Sequence, residues 1–351
     1  ILSNMVDTLV KETTTVTKDV SGSLLISAAD GATLKGIQIG GDLILAPGVT
    51  KDVTLVDCVI QGNIRNYGTG EVRFEAPQIT PESTATKPSE VYKPGATLDR
   101  TLEYGGKTVP IYRDRPLNVF SDVDFIWTGE ENENQRRLEY LGGEFRTRYG
   151  IDVSSFQGEI DWDAVADDNI DFAMVRVGFR GTGTGSLNTD KYYEQNIRGA
   201  MRAGLETGVY FFAQAVTVEE AIEEADYVIS LLDGLDINGP VAYDWEMHDS
   251  TYRVYGTSPE MATACAVAFC QRIKDAGYTP MVYGGTYVTY MKYDQGALAD
   301  YLSWYPEYKS EKSEKLCPTL VYHMDYWQFS SSRAVAGING RVDMNIQFIR
   351  R

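Results

Sequence analysis

The sequence predicts an α/β protein in which an irregular (β/α) barrel follows a small all-β domain. Three observations predict this fold. β-rich runs alternate with helical patterns after Tyr149, a short repeat occupies the amino-terminal part, and a stretch rich in Pro, Thr, Ser and Glu separates the two. We therefore expect a repeat domain over 1–75, a linker or connector over 76–147 and a barrel over 148–351.

Composition and charge narrow the class of protein. The chain has 351 residues, of which 43% are hydrophobic, which favours about two domains with a sizeable core. The formal net charge is −18, which argues against a nucleic-acid partner because phosphate binding needs clustered Lys and Arg. No apolar run approaches the roughly 18 residues that span a bilayer. These features are compatible with a secreted, well-solvated enzyme.

The four cysteines show no metal-site spacing. They form no C-x-x-C pair, so we interpret them as packing thiols and predict neither a metal nor a cofactor; they are Cys58, Cys265, Cys270 and Cys317. The chain begins with Ile1 rather than Met, and we expect an upstream segment. A secretory signal there would place the protein outside the cell or at the cell wall.

The amino-terminal repeat predicts stacked β coils. Similar triplets recur at spacings of 19 and 21 residues, at Gly22-Ser23-Leu24, Gly41-Asp42-Leu43 and Gly62-Asn63-Ile64. Each unit carries two short β-rich runs broken by Gly or Asp. A period near 20 residues is typical of a β-solenoid, in which each coil buries its face against its neighbours. A small β-sandwich is the alternative.

The connector contains two candidates for short edge strands, at Thr108–Tyr112 and Asn118–Phe120. Residues 76–98 are rich in Pro, Thr, Ser and Glu, as linkers are. Residues 129–135 have the composition of a solvated turn or loop.

Eight β-rich runs after Tyr149 predict a closed barrel. They are Gly150–Ser154, Phe172–Gly178, Gly208–Ala213, Pro240–Glu246, Thr279–Tyr283, Leu302–Tyr305, Tyr322–Phe329 and Val342–Phe348. Helical patterns between the early runs imply a parallel sheet. Thr217 has the capping-box spacing to Glu220 and opens a helix over Val218–Leu232, and Ser258 opens another that ends at Gly277. The last three connections are too short for full helices, which makes the barrel irregular there.

The fourth run, GPVAYDWEMH (239–248), carries two carboxylates near its end. Residues i and i+2 of a strand face the same way, so Asp244 and Glu246 project together, with Cα atoms roughly 6.6 Å apart. Asp152 lies on the first strand and Asp343 at the start of the last, and a barrel brings these two strands side by side. We therefore expect the four acids to converge at the barrel mouth.

Clustered acids raise one another's pKa, which gives a protonated acid beside an anion, as glycoside hydrolysis requires. Two alternatives remain for the acids: caps or salt-bridge partners, or ligands of a metal ion. A hard cation would need further oxygen ligands from a dedicated loop, and the sequence shows none. His248 and His323 lie in no nucleophile motif, which argues against a Ser-His-Asp triad.

Seven stretches in order resemble the lysozymes of glycoside hydrolase family 25, the Chalaropsis-type muramidases. They are GIDVSSFQGEIDW (150–162), FAMVRVGFRG (172–181), GVYFFAQA (208–215), VAYDWEM (241–247), GYTPMVYGG (277–285), YWQFSSS (326–332) and VAGINGRVDMN (335–345). The resemblance covers 149–348. It implies about five β/α units with three closing strands, and cleavage of the β-1,4 bond between N-acetylmuramic acid and N-acetylglucosamine in peptidoglycan.

By this resemblance, the family's acids fall on Asp152, Asp244, Glu246 and Asp343. Glu246 would be the general acid and hold a proton near neutral pH. Asp244 would stay charged and orient the substrate's 2-acetamido group, which acts as the nucleophile. Asp152 and Asp343 would tune charge and position the sugar or water. Because no protein nucleophile is needed, carboxylate spacing leaves the stereochemistry open.

Five further side chains are candidate sugar contacts: Tyr210, Phe212, Trp304, Trp327 and Gln328. Aromatic rings can stack on sugars, and burial in the core is the alternative for each ring. Pro306 stands where the family usually has a small residue, and it is expected to distort or end its strand.

Peptidoglycan glycan strands are the expected partner of the barrel, and the amino-terminal domain is a candidate for binding cell-surface glycan. The alternative function is a non-catalytic cell-wall or glycan-binding protein built on the same barrel.

Overall fold

A computed structural model describes residues 8–56, 58–60, 64–75, 86–95, 97–129 and 136–351. The described chain divides into two compact units. One comprises the described residues up to 75 with the short segments Gly181–Ser186 and Thr251–Arg253, and the other comprises the rest. Three predicted features lie partly outside the described residues: the Gly62-Asn63 part of the repeat, residues 76–85 and 96 of the linker, and residues 130–135 of the loop.

Short parallel strands make up the amino-terminal unit. They are β1 (Thr8–Val10), β2 (Thr15–Val16), β3 (Leu24–Ile26), β4 (Ala32–Lys35), β5 (Gln38–Ile39), β6 (Leu43–Leu45), β7 (Val53–Val56), β8 (Val59–Ile60), β9 (Ile64–Asn66) and β10 (Val72–Glu75). Two four-stranded sheets have the orders β1-β3-β6-β9 and β10-β7-β4-β2, and β5 pairs with β8. Leu24 pairs with Leu43, and Leu43 pairs with Ile64. Neighbouring strands are therefore one sequence repeat apart.

The stretch before the barrel contains two antiparallel hairpins. Its elements are α1 (Pro88–Val91), β11 (Leu98–Tyr104), β12 (Lys107–Tyr112), β13 (Phe125–Thr128) and β14 (Arg137–Tyr140). The strand predicted at Thr108–Tyr112 is confirmed. The strand predicted at Asn118–Phe120 is wrong, because the Asn118 amide donates to the carbonyls of Pro318 and Leu320 and its oxygen accepts the N–H of Phe120.

Nine strands form the sheet of the second unit, and eight of them close into a barrel. They are β15 (Phe145–Val153), β16 (Phe172–Arg180), β17 (Leu187–Thr189), β18 (Glu206–Ala213), β19 (Val241–Trp245), β20 (Pro280–Tyr283), β21 (Leu302–Pro306), β22 (Tyr326–Arg333) and β23 (Val342–Arg350). β17 only flanks β16, and β15 pairs with both β16 and β23, which closes the ring. β23 runs antiparallel to both neighbours, whereas the pairs between the other barrel strands are parallel.

Five helices connect the first six barrel strands. They are α2 (Trp162–Asp167), α3 (Tyr193–Arg202), α4 (Val218–Leu231), α5 (Pro259–Asp275) and α6 (Thr286–Met291). The connections over 307–325 and 334–341 are fully described and contain no α-helix. The predicted irregular barrel, with five β/α units and three closing strands, is confirmed. None of the helices in the described ranges combines the length and the apolar character that a membrane crossing needs.

The predicted helix ends are confirmed. Thr217 Oγ1 accepts the N–H of Glu220, and Ser258 Oγ accepts the N–H of Met261. Gly277 ends α5 with a φ of 91°, a conformation that glycine adopts without strain.

Two strands begin four or five residues from their predicted starts, and the fourth predicted strand ends at Trp245 rather than Glu246. β15 begins before Gly150 because residues 145–149 pair with the end of β23. β22 begins at Tyr326 rather than Tyr322, because Tyr322 pairs instead with Leu117 in an isolated bridge. β21 ends at Pro306, as expected for a residue without a backbone N–H.

Candidate active site

The structure brings the four predicted acids together at one end of the barrel. Asp152 and Asp244 lie near the ends of β15 and β19, Glu246 follows β19, and Asp343 opens β23. Parallel strands end on the same side of a barrel, and the antiparallel β23 begins there. All four side chains line one pocket of about 220 Å³, the acid pocket.

Asp152 and Asp343 form a carboxyl pair across β15 and β23. They are Cα partners on one rung of the ladder, and their side chains hydrogen-bond to each other. A hydrogen bond between two carboxyl groups requires a proton. Burial, reinforced by the charge of Asp152, raises the pKa of Asp343 to about 8. Burial also raises the pKa of Asp152, to about 6.

Asp152 is the anion of this pair because two amides donate to it. Asn345 Nδ2 and Gln328 Nε2 each lie 2.8 Å from Asp152 Oδ2, and these hydrogen bonds lower its pKa against the effect of burial. Trp304 Nε1 donates to Asn345 Oδ1 at 2.8 Å, which orients the amide so that its N–H faces Asp152. The proton of the pair therefore resides on Asp343.

Asp244 and Glu246 form the second carboxyl pair. Burial raises the pKa of Asp244 well above its usual range, and the charges of Glu246 and Asp152 and a hydrogen bond with Glu246 act in the same direction. Glu246 is more accessible: its side chain is 24% exposed, and its Oε2 lies 2.8 Å from His248 Nε2. Asp244 Oδ1 is buried without a hydrogen-bond partner among the described residues.

The protonation of this pair differs from the prediction that Asp244 stays charged. In the free protein, burial at 6% exposure favours the neutral form of Asp244. The sequence showed that both side chains face the mouth, but it could not show that Asp244 lies deeper.

Within the described ranges, no group of three or more His, Cys, Asp or Glu side chains is placed to hold a metal ion.

Four of the five predicted sugar contacts line the acid pocket: Tyr210, Phe212, Trp304 and Gln328. Trp304 is 2% exposed and lies edge-on to Tyr210 and Tyr283, with ring centroids 5.9 and 4.9 Å away. It therefore supports the pocket mainly from beneath.

The structure does not bring Trp327 to the pocket. Strand alternation sends Tyr326 and Gln328 to the inside of the barrel and Trp327 to the outside. There Trp327 is fully buried, packs against Phe125 and Phe329, and donates from Nε1 to the carbonyl of Glu307. It is a core residue, which was the alternative for each aromatic candidate.

Arg176 is a cation in the pocket that the sequence patterns did not predict. Its guanidinium lies 2.8 Å from Asp190, and it lowers the pKa of Asp244 against the effect of burial. The ring of Phe156, which is 85% exposed, lies 5.2 Å from Arg176 Cζ at the pocket rim. Arg176 is a charged residue within the otherwise apolar run of β16, so the sequence could have indicated a role for it at the site. No feature of the sequence indicated that Phe156 lies at the pocket.

Other pocket residues were also missed: Ser154, Gln157, Tyr283 and Tyr308. The hydroxyls of Tyr283 and Tyr308 donate to Gln328 Oε1 at 3.2 and 3.1 Å, which leaves the Gln328 amide free to donate to Asp152. A second hollow of about 320 Å³ shares Glu246, Tyr283 and Tyr308 with the acid pocket. The two hollows therefore adjoin at these three side chains.

A sequence profile of the glycosyl hydrolases family 25 matches residues 151–338, which is more than half of the chain. The autolytic lysozyme of Clostridium acetobutylicum is 26% identical over 197 residues, which are 56% of this chain and 54% of that protein. Lysozyme M1 of Streptomyces globisporus is 27% identical over 201 residues, which are 56% of this chain and 66% of that protein. The chain thus spans about half of the length of the first relative and about two thirds of the second.

The fold is also found in a solved structure. The spore cortex lytic enzyme SleM of Clostridium perfringens superposes with a TM-score of 0.50 and 22% identity, over 57% of this chain and 67% of that chain. The resemblance predicted from the seven sequence stretches is confirmed by the profile match. The chain belongs to the glycosyl hydrolases family 25.

Proposed function

We propose that the protein is a peptidoglycan hydrolase that cleaves the β-1,4 bond between N-acetylmuramic acid and N-acetylglucosamine. The observation that carries the proposal is the pair formed by Asp244 and Glu246 at the barrel mouth, beside the pair formed by Asp152 and Asp343. The two relatives named as lysozymes support this choice of substrate.

In this proposal, Asp244 and Glu246 share one proton that moves when substrate binds. Asp244 Oδ1, which is buried and has no hydrogen-bond partner in the described part of the chain, accepts the N–H of the sugar's 2-acetamido group, which favours the charged form of Asp244. The proton then resides on the more exposed Glu246, which donates it to the glycosidic oxygen as the bond to C1 breaks.

The acetamido oxygen forms a bond to C1 as the leaving sugar departs. The Glu246 carboxylate then takes a proton from a water molecule that attacks C1 and opens the ring formed by the acetamido group. The negative charge of Asp152 stabilises the positive charge that develops at the sugar, and Asp343 keeps Asp152 in place through the proton between them. Tyr210, Phe212 and Gln328 contact the sugar.

The proposal is tested with Glu246→Gln, which keeps the size of the side chain but cannot donate a carboxylic proton. Wild type should clear a suspension of purified Gram-positive walls, and Glu246→Gln should lose activity by roughly 10²-fold or more. Equal activity of the two proteins would refute the role of Glu246. Retention on walls without soluble products from wild type would favour the non-catalytic binding alternative.

We also propose that residues 1–75 form a β-solenoid domain that binds cell-surface glycan and holds the enzyme at the wall, outside the cell. The parallel pairing of strands one repeat apart supports the solenoid, because stacked coils pair in this way. Sedimentation with isolated walls should retain the full chain carrying Glu246→Gln more strongly than the same chain lacking residues 1–75. Equal retention would refute the binding role.

A further inference from the structure

The residues that follow β18 hold the end of β19. Gln214, directly after β18, is fully buried, and its Nε2 donates to the carbonyl of Glu246 at 2.8 Å. In the opposite direction, Trp245 Nε1 donates to the carbonyl of Ala215 at 3.0 Å. Two hydrogen bonds from side chain to backbone therefore tie the segment that carries Glu246 to the segment after β18.

Glu246 lies just beyond the hydrogen-bonded part of its strand. The register of β19 with β18 ends at Trp245, and its register with β20 ends at Asp244. The sheet ladder therefore fixes the backbone of Asp244 but does not extend to Glu246. The Gln214 amide supplies a hydrogen bond at the position where the ladder has ended.

Gln214 is itself fixed by a buried ion pair. Its backbone N–H donates to Glu224 Oε1 at 3.0 Å, and the same oxygen accepts from Arg180 Nε at 2.8 Å. Arg180 also donates to Glu223 Oε2 at 2.6 Å and to the carbonyl of Glu220 at 3.1 Å. These hydrogen bonds thus join the end of β16, the start of α4 and the segment after β18, which holds the backbone of Glu246.

Stability alone does not account for this arrangement. Glu224 is fully buried, Arg180 is 4% exposed, and burial raises the pKa of Glu224 to about 7 despite the nearby Arg180 charge. Well-packed apolar side chains commonly stabilise a fold as much as a buried ion pair does. Hydrogen bonds between polar groups, however, fix the orientation of the groups that they join more precisely than apolar packing does.

We propose that Gln214 is a positioning residue for Glu246, and that Glu224 and Arg180 fix Gln214 in turn. The inference rests on the proposed role of Glu246 as the acid. Gln214, Glu224 and Arg180 thus act together with the four acids. They touch no substrate and act through the backbone of Glu246.

The test is the kinetics of Gln214→Met on soluble, uncrosslinked glycan strands from peptidoglycan. Methionine fills a similar volume but cannot donate, so Glu246 shifts and kcat falls by roughly 10- to 100-fold, as expected for a displacement of about 1 Å. KM should stay within about twofold, because the sugar contacts are unchanged. The pH dependence of kcat should also change, because the proton shared by Asp244 and Glu246 depends on their spacing.

Gln295→Met is the matched control for loss of stability. Gln295 is also a buried glutamine whose Nε2 donates to a backbone carbonyl, that of Thr289 at 3.3 Å, and it does not line the acid pocket. The Gln295→Met substitution should lower the melting temperature without changing kcat. A kcat for Gln214→Met that equals that of Gln295→Met would overturn the proposal.

Variants at Glu224 test the second half of the proposal. Glu224→Leu removes the acceptor that holds Gln214 and should lower kcat as Gln214→Met does, whereas Glu224→Gln keeps an accepting oxygen and should retain more activity. Equal kcat in the two variants would overturn the role of Glu224. Glu246→Gln is measured beside them: if it stays active, the proposed role of Glu246 fails, whereas if only Gln214→Met stays active, the positioning inference fails alone.

Discussion

Asp152 and Asp343 face each other across one rung of the β15–β23 ladder and share a proton between their carboxyl groups. Two amides donate to Asp152, which assigns the negative charge to it and the proton to Asp343. Two aspartates of similar position thus have different charges, because their hydrogen-bond partners differ.

Replacement of each aspartate by asparagine should have unequal effects. Asp343→Asn keeps a donor to Asp152 and should hold kcat within roughly threefold of wild type near pH 7, whereas Asp152→Asn removes the anion and should lower kcat at least tenfold. Initial rates on solubilised peptidoglycan compare the two. Equal losses would mean that the proton is not localised on Asp343.

The free energy of unfolding should fall as pH rises from about 4 to about 8. Asp343 has a folded-state pKa of about 8 and an unfolded value of about 3.9. In this window the unfolded chain has lost the proton and the folded chain keeps it, so the slope of stability with pH is negative for this group. Asp152, whose pKa is raised to about 6, adds to the slope at the lower end.

Urea denaturation of wild type and Asp343→Asn across this pH range measures the effect. The variant lacks the titrating group and should lose less stability with rising pH than wild type. The difference between the two proteins at each pH isolates Asp343 from the other acids. Parallel curves would show that Asp343 is already ionised in the folded protein.

Trp304→Phe and Trp327→Phe should separate activity from stability. Trp304→Phe removes the donor that orients Asn345 and should lower kcat roughly three- to tenfold. Trp327→Phe removes the donor to Glu307 and should cost about 1 kcal/mol of stability with kcat unchanged. Thermal denaturation and initial rates are measured on both. A greater loss of kcat in Trp327→Phe would contradict its placement in the core.

Phe156→Ala should weaken substrate binding. The ring is 85% exposed at the pocket rim and is backed by Arg176, so it offers an open face to a sugar. KM should rise roughly three- to tenfold with little change in melting temperature, because stacking on an aromatic ring contributes about 1 kcal/mol. Val123→Ala, at an equally exposed residue outside the pocket, is the control and should leave KM unchanged.

The sequence was sufficient for the barrel and for the set of acids, because strand period and topology determine both. Asp244 and Glu246 face the mouth through simple alternation, and Asp152 meets Asp343 because the first and last strands of a barrel are neighbours. Protonation could not be predicted, because it depends on depth and on donors such as Asn345, which lies far from Asp152 in the chain.

Two other residues show where sequence patterns were insufficient. Trp327 and Gln328 are adjacent, and only the observed register shows that Gln328 faces the pocket while Trp327 faces the surrounding core. Gln214 gave no signal either, because its role depends on the point at which the β19 ladder ends. Sequence patterns identify which residues lie on the same face of a strand. The packing of neighbouring elements determines whether that face contacts the pocket or the core.

Mass spectrometry of peptidoglycan that the wild-type protein has digested, and that is then reduced with borohydride, identifies the bond that is cut. We expect the new reducing ends to be N-acetylmuramic acid, which appears as the reduced muramic sugar, and we expect Glu246→Gln to yield none. New reducing ends of N-acetylglucosamine, or identical products from the variant, would contradict the proposed function.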